Sequence, residues 1–451
     1  MTHHLPRRRS ALLAAPLLFA LSGASFAADV PAWLDEAVKG ETASMTTLRH
    51  DLHAHPELGN QEVRTQKVIA DFLKAAGVDE VVVGWKDAPT AVVGVLNPGK
   101  GNAVGLRADI DALPIKERTG LPFESKARGP YWGKDVDVSH MCGHDAHMAM
   151  LLTAAKILAA HKNEVDRTVV FVFQPAEEGD SRENPFLAKT PKLSGAKALV
   201  ENGLMEKYGI RTMFGIHVMA RVPAGEAWVV KGPALNSADA FEVTITGNQA
   251  HGAMPWTGTD ATLAAAQTVV SLQQIVSRNA NLSEGSGVIT VGKLQSGETG
   301  NVMSGSAYMQ GTIRSNNPGV RSTLLKRIPE VVSGTAAASG VKAETRLIEI
   351  YPVTVNDPAL AERMVPDLTA FGVKASEVKY NPGASEDFSF YAEKVPSVFV
   401  FLGVDAPFRR EGSESEGRSA RKPGGLLRFR EASRSFGGFG GFRRFEPDPG
   451  I

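Results

Sequence analysis

Short apolar runs that break off at a polar residue recur along the first half of this chain. Ala103-Val104-Gly105-Leu106 leads into Arg107-Ala108-Asp109-Ile110-Asp111, and Thr168 to Phe173 leads into Gln174-Pro175-Ala176-Glu177-Glu178-Gly179. Met213-Phe214-Gly215-Ile216 leads into His217. None of these runs alternates apolar with polar positions, so each reads as a strand buried on both faces of a mostly parallel sheet. Between them, residues 145–161 carry apolar side chains at near-helical spacing, with Asp145 placed to cap the start. Strands and helices in this succession predict an α/β fold, whose ligands bind at the carboxyl ends of the strands. Those ends are where the chain puts its carboxylates and imidazoles.

Near residue 235 the texture changes. Strand-like stretches at 240–246, 288–294 and 307–313 surround a helical segment at 259–278, the pattern of an antiparallel α+β insert. Another strand near 341–350 ends at Tyr351-Pro352, and Pro396 to Gly403 supplies one more buried strand. The expected organisation is an α/β unit made of 28–234 and 349–404, interrupted by the insert 235–348. Residues 405–451 are rich in Arg, Gly and Ser, include the low-complexity FGGFGGFRRF, and show neither helix nor strand period. They are expected to form a disordered tail.

The first residues read as a signal peptide, 1–27, of the Sec or twin-arginine type. Arg7-Arg8-Arg9 precede an apolar stretch from Ala11 to Leu21, and Ser25 and Ala27 are the small residues before a cleavage point. Pro16 breaks that stretch, which is too short for a stable membrane anchor. A periplasmic or secreted mature protein is expected. Lys+Arg and Asp+Glu balance at 49 each, so no overall field points to nucleic acid or an anionic membrane. There is no P-loop, GxGxxG or GxSxG, which leaves nucleotide and serine-nucleophile chemistry without support.

The one cysteine cannot form an intrachain disulfide. It sits in HMCGHDAH (140–147) with three of the chain's 11 histidines. Soft ligands converging in this way point to a metal. Adjacent carboxylates Glu177-Glu178 at a strand end can divide two tasks, one holding a cation and the other taking a proton from the water it activates. With His217 at another strand end, Cys142, His144 and Glu178 complete a mixed N/O/S donor set. Such a set suits zinc, without excluding manganese, cobalt or nickel.

HMCGHDAH, RADIDALP (107–114), QPAEEG (174–179), GIH (215–217), HGAMP (251–255) and SEDFSFY (385–391) together resemble the N-acyl-amino-acid amidohydrolases. These are dinuclear metallopeptidase relatives that include hippurate and auxin-conjugate hydrolases. His53-Ala54-His55-Pro56-Glu57 matches the family's opening motif, and the match runs from about residue 40 to 404. The resemblance implies two divalent metal ions, a small N-acyl amino acid or dipeptide-like substrate, and a homodimer formed through the inserted dimerisation or lid domain. It implies Cys142 as the ligand shared between the metals, with His144, Glu178 and His217 as terminal ligands. Glu177 would be the general base and acid, and His251 would stabilise the tetrahedral oxyanion, often from the partner's side. His147, Asp109 and His55 match supporting positions, while Asn301 and Glu386 match segments that line the cleft.

One element of the family pattern is missing. The family takes its last metal ligand from a histidine shortly after the strand matching Val398–Leu402, and this chain has no histidine after His251. Two readings therefore stand at the level of sequence: a metal-dependent amidohydrolase, or an inactive, metal-deficient relative that binds the same ligands.

Overall fold

The structure, a computed structural model, describes residues 30–188 and 192–405. The expected signal peptide and almost all of the expected tail lie outside those residues. Eight strands form the main sheet in the spatial order Glu80–Trp85, Ala88–Leu96, Val169–Gln174, Ala103–Asp109, Ile210–Pro223, Ser397–Asp405, Glu226–Val229, Lys374–Glu377. The centre is parallel, from Val169–Gln174 across to Ser397–Asp405, as the apolar runs predicted. Ala88–Leu96 and Glu80–Trp85 extend one side antiparallel, and Glu226–Val229 pairs antiparallel with Ser397–Asp405 on the other.

The unbroken apolar runs have a direct cause in the packing. Val170 and Val172 face one core with Leu199, Phe388, Tyr391, Phe399 and Phe401, whereas Val169, Phe171 and Phe173 face a second core with Leu52, Ile69, Leu73, Met148 and Leu152. A strand between two cores has no solvent face, so no position in it can be polar without a cost. Helices Val63–Ala75 and His144–Ala160 supply the second core. Each fully buried aliphatic or aromatic side chain there contributes about 1.5–3 kcal/mol.

Helix His144–Ala160 matches the predicted one, but its start differs from expectation. Gly143, at φ 98°, is the residue before the first turn, and Asp145 makes no cap. The Asp145 carboxylate turns instead to Arg49 and His53. Gly143 is required by its left-handed backbone, which lets the chain reverse between Cys142 and His144.

Residues 238–351 form a separate antiparallel sheet, ordered Gly287–Ser296, Ser306–Ser315, Ala238–Thr246, Lys342–Tyr351. Helices Ala261–Gln274 and Pro318–Ala338 pack on it through Ala264, Leu272, Leu324 and Ile328, among others, so this sheet has its own core. The second helix was not foreseen from the sequence. Its start is marked by Asn317, whose side chain accepts from Gly319 and Val320 N–H, and by Pro318 in the first turn. Pro329 inside the helix masked that signal. Among the described residues no helix is long and apolar enough to cross a membrane.

Gly215 shows how closely the central strands are packed. A Cβ there would stand 2.7 Å from the Phe399 ring and 2.9 Å from the Phe388 ring. Gly215→Ala should therefore destabilise the protein by about 1–3 kcal/mol through overpacking. Urea unfolding checks this, and a change within about 0.5 kcal/mol would show that the two rings yield freely.

Candidate metal centre

The site residues come from two strand ends, the middle of a third strand and one helix start; His217, expected at a strand end, lies within Ile210–Pro223, which runs on for six residues beyond it. Strand Ala103–Asp109 delivers Asp109, Val169–Gln174 leads into Glu177 and Glu178, Ile210–Pro223 carries His217, and the loop before helix His144–Ala160 carries Cys142. The structure gathers ligand atoms of Cys142, His144 and His217 within 4.8 Å of one another, and likewise those of His144, Glu177 and Glu178. His144 is common to both groups and links them.

Hydrogen bonds on the far side of each ring turn one nitrogen of His144 and of His217 toward the cluster. His144 Nδ1–H donates to the Asp111 carbonyl at 2.8 Å, and its Nε2, fully buried, has no hydrogen-bond partner. His217 Nδ1–H donates to the Val218 carbonyl at 2.7 Å, so its Nε2 faces Cys142 Sγ at 3.4 Å. A buried imidazole nitrogen without a partner, beside a thiol and two carboxylates, fits a divalent cation. The thiol and the Glu178 carboxyl resist charging, whereas at His144 burial is outweighed by the Asp109 charge and Cys142, which raise the ring well above the ordinary imidazole value. Desolvation, with the Glu178 charge added, pushes the Cys142 thiol up to about 12, and desolvation pushes Glu178 up to about 7.

His147 is oriented differently. Its Nδ1–H donates to Asp109 Oδ1 at 2.6 Å and its Nε2 accepts from Val218 N–H at 2.9 Å, so both nitrogens are used and the ring supports the site without a free donor. Asp109 is fully buried. Burial opposes its charge, but His144, His147 and Arg107 together hold it well below the usual carboxylate range. Glu177 is also buried, and burial followed by the Glu386, Glu178 and Asp387 charges pushes it well above that range. Its carbonyl accepts a hydrogen bond from Tyr351 Oη, which comes from the edge of the inserted sheet.

Several functional groups were missed at the level of sequence. Arg107, buried within strand Ala103–Asp109, donates to Gln174 Oε1 (2.9 Å), Asp109 Oδ2 (2.6 Å), Glu386 Oε1 (2.8 Å) and Asp387 Oδ1 (2.9 Å). A charge inside an otherwise apolar run was the signal that could have found it. Glu386 lies in this network and lines the cleft.

His55 does not join the site. Its side chain is 52% exposed and its Nδ1–H donates to the Asp51 carbonyl one helical turn back. The first histidine of the same motif, His53, is the buried one, bonded through Nδ1 to Asp145 (2.9 Å) and through Nε2 to Glu117 (3.0 Å). Burial opposes a charge on His53, but the bonds to Asp145 and Glu117 outweigh it and raise the ring to about 9. Because the folded value lies above the ordinary 6.5, this stabilisation is complete below pH 6.5 and is lost as pH rises through 9. Urea unfolding across that window should show a falling stability in the wild type and a flatter profile in His53→Gln; parallel profiles would contradict it.

His251 and Asn301 lie together in the insert but apart from this cluster. His251 pairs with Val302 in a short ladder, Gly252 N–H donates to the Asn301 carbonyl, and both side chains are exposed. Neither lines the cleft of about 400 Å³ that opens over Cys142, Glu177, Glu178 and His217. That cleft is walled by apolar groups such as Leu113, Met141, Met219, Tyr380 and Phe401, with Val218 at its border.

Comparison with known proteins agrees with this geometry. Residues 105–416 match Peptidase family M20/M25/M40. The chain is 34% identical over 365 residues to N-acetylcysteine deacetylase of Bacillus subtilis, covering 80% of this chain and 88% of that protein. It is 35% identical over 360 residues to hippurate hydrolase of Campylobacter jejuni, covering 79% and 86% respectively. Among solved structures it resembles a dinuclear metal binding peptidase of Bacillus subtilis, with a TM-score of 0.66, 31% identity, and 81% and 89% of the two chains covered. With imidazole, thiol and carboxylate donors clustered on and beside a parallel-centred α/β sheet, and with this similarity over most of its length, the chain belongs to peptidase family M20/M25/M40, whose members here are metal-dependent amide hydrolases.

Proposed function

We propose that the protein hydrolyses N-acyl amino acids or closely related small amides, with two divalent metal ions held by Cys142, His144, Glu178 and His217. The observation that carries this reading is the buried Nε2 of His144, which makes no hydrogen bond and lies 3.6 Å from Asp109 Oδ2, in the midst of Cys142, His217, Glu177 and Glu178. The bound metals would polarise the amide carbonyl and make water nucleophilic at neutral pH. Glu177 takes a proton from the attacking water and returns it to the leaving amine, so that amide and water become carboxylic acid and amine. The apolar walls of the cleft suit an acyl chain or aromatic acyl group. His251 acts from the second subunit of a homodimer, a role supported by its exposure and by its absence from its own cleft.

The absence of any histidine after His251 favours the second reading, a relative too poor in metal to turn over its ligands. Elemental analysis of dialysed protein, with assays on N-acetyl and N-benzoyl amino acids, separates the two. Close to two metals per chain and hydrolysis abolished by a chelator are the expected result. One metal or none, or a metal-loaded protein that leaves every such substrate intact, would overturn the hydrolase reading.

A further inference from the structure

The turn that presents Glu177 is held by carboxylates on either side of it. Ala176, immediately before Glu177, has φ 53°, a left-handed conformation that a residue with a Cβ rarely adopts. Such strain persists only where the surroundings enforce it. Here the Ala176 N–H donates to Glu62 Oε1 at 3.0 Å, and the Glu178 N–H donates to Asp111 Oδ2 at 2.9 Å. Glu62 is completely buried, and its other oxygen accepts from Thr90 Oγ1 at 2.5 Å. Gly59 closes the remaining side, since a Cβ there would lie 2.2 Å from the Gly179 carbonyl oxygen and 3.0 Å from Ala176 Cα.

We infer that Glu62 is a positioning residue, which locks the strained Ala176 peptide so that the Glu177 carboxylate is aimed at the reacting water. The inference rests on the assignment of Glu177 as the base. A carboxyl group in the core, immediately before the start of helix Val63–Ala75, is expensive to charge, as burial and the Asp111 charge raise it to about 8, and none of its hydrogen bonds goes to a cation. Its partners are one hydroxyl and one backbone N–H of the catalytic turn. The role requires only an acceptor at Oε1, so glutamine should fulfil it and leucine should not.

Hydrogen exchange on the segment Gln174–Gly179, read alongside steady-state kinetics, tests this in the full-length protein. Glu62→Leu should speed exchange of the segment and lower kcat by about 10²-fold, with KM changed little, because a base misplaced by about 1 Å loses that much. Glu62→Gln should restore both readouts to near wild type. The inference is overturned if Glu62→Leu leaves exchange and kcat unchanged, or if Glu62→Gln is as impaired as Glu62→Leu. Should Glu62→Leu fail to fold, Thr90→Val decides: faster exchange with lower kcat supports the clamp, and unchanged values reject it. Glu177→Ala that remains fully active would overturn the base assignment, and the clamp's purpose with it, even where exchange follows Glu62. In a wild-type preparation without turnover, the exchange readout alone decides the clamp.

Discussion

Glu177→Gln should lower kcat by about 10²–10⁴-fold, the usual contribution of a positioned general base, while leaving the metal content as in the wild type. The amide keeps the size and hydrogen-bonding reach of the acid but cannot take up a proton. Glu177 is fitted to that task by its surroundings: burial and the Glu386, Glu178 and Asp387 charges raise its proton affinity well above that of an ordinary carboxylate. A carboxylate whose affinity is raised toward that of the reacting water takes up the proton more readily in the transition state. Equal loss in kcat and kcat/KM, measured on an N-acyl amino acid, is the expected signature. A variant that retains more than about a tenth of wild-type kcat would move the base elsewhere. If the variant instead loses metal, the side chain serves as a ligand and its assignment here is wrong.

The second large effect is on stability. Arg107→Met should cost about 3–5 kcal/mol, the range for removing one partner of a buried ionic network. The guanidinium satisfies Asp109, Glu386 and Asp387 at once, all three being buried, and it also holds the Gln174 side chain. Methionine fills similar space but leaves those carboxylates without their cation. Against a total stability of about 5–15 kcal/mol, that loss would unfold a large share of the protein near its working temperature. Arg107→Lys should recover only part of the loss, because one ammonium cannot reproduce the planar fork. Urea unfolding of metal-free protein measures both, and a cost below about 1 kcal/mol for Arg107→Met would mean that the three acids are neutral in the fold.

Much of this was legible in the chain itself, for identifiable reasons. The parallel centre could be read because strands enclosed by two cores leave an unbroken apolar signature, as Thr168 to Phe173 does. Cys142, His144, Glu178 and His217 stood out because chemically rare residues were crowded at the ends of such runs. Helix Pro318–Ala338 was hidden by Pro329, which a single-sequence reading takes as a break. Glu62 and Arg107 escaped for a different reason: a charged residue announces its own burial only through partners far away in sequence. Arg107 meets Glu386 across 279 positions, and Glu62 meets Ala176 across 114. The roles of His53 and His55 were hidden for the same cause: His53 lies in the last helical turn and meets Asp145 across 92 positions, whereas His55, just past the helix end, turns back to Asp51.

The peptide groups flanking Val218 have an evolutionary consequence. One residue's main chain orients two histidines, accepting from His217 and donating to His147, while its side chain is buried against Val404, Ala146 and Met150. Mutation can alter a side chain but leaves the amide and carbonyl in place. The buried packing at this point can therefore drift, trimmed by alanine or filled by isoleucine, while the groups that hold both imidazoles stay in place. Selection acting on packing and selection acting on the reaction are thereby separated within a single residue.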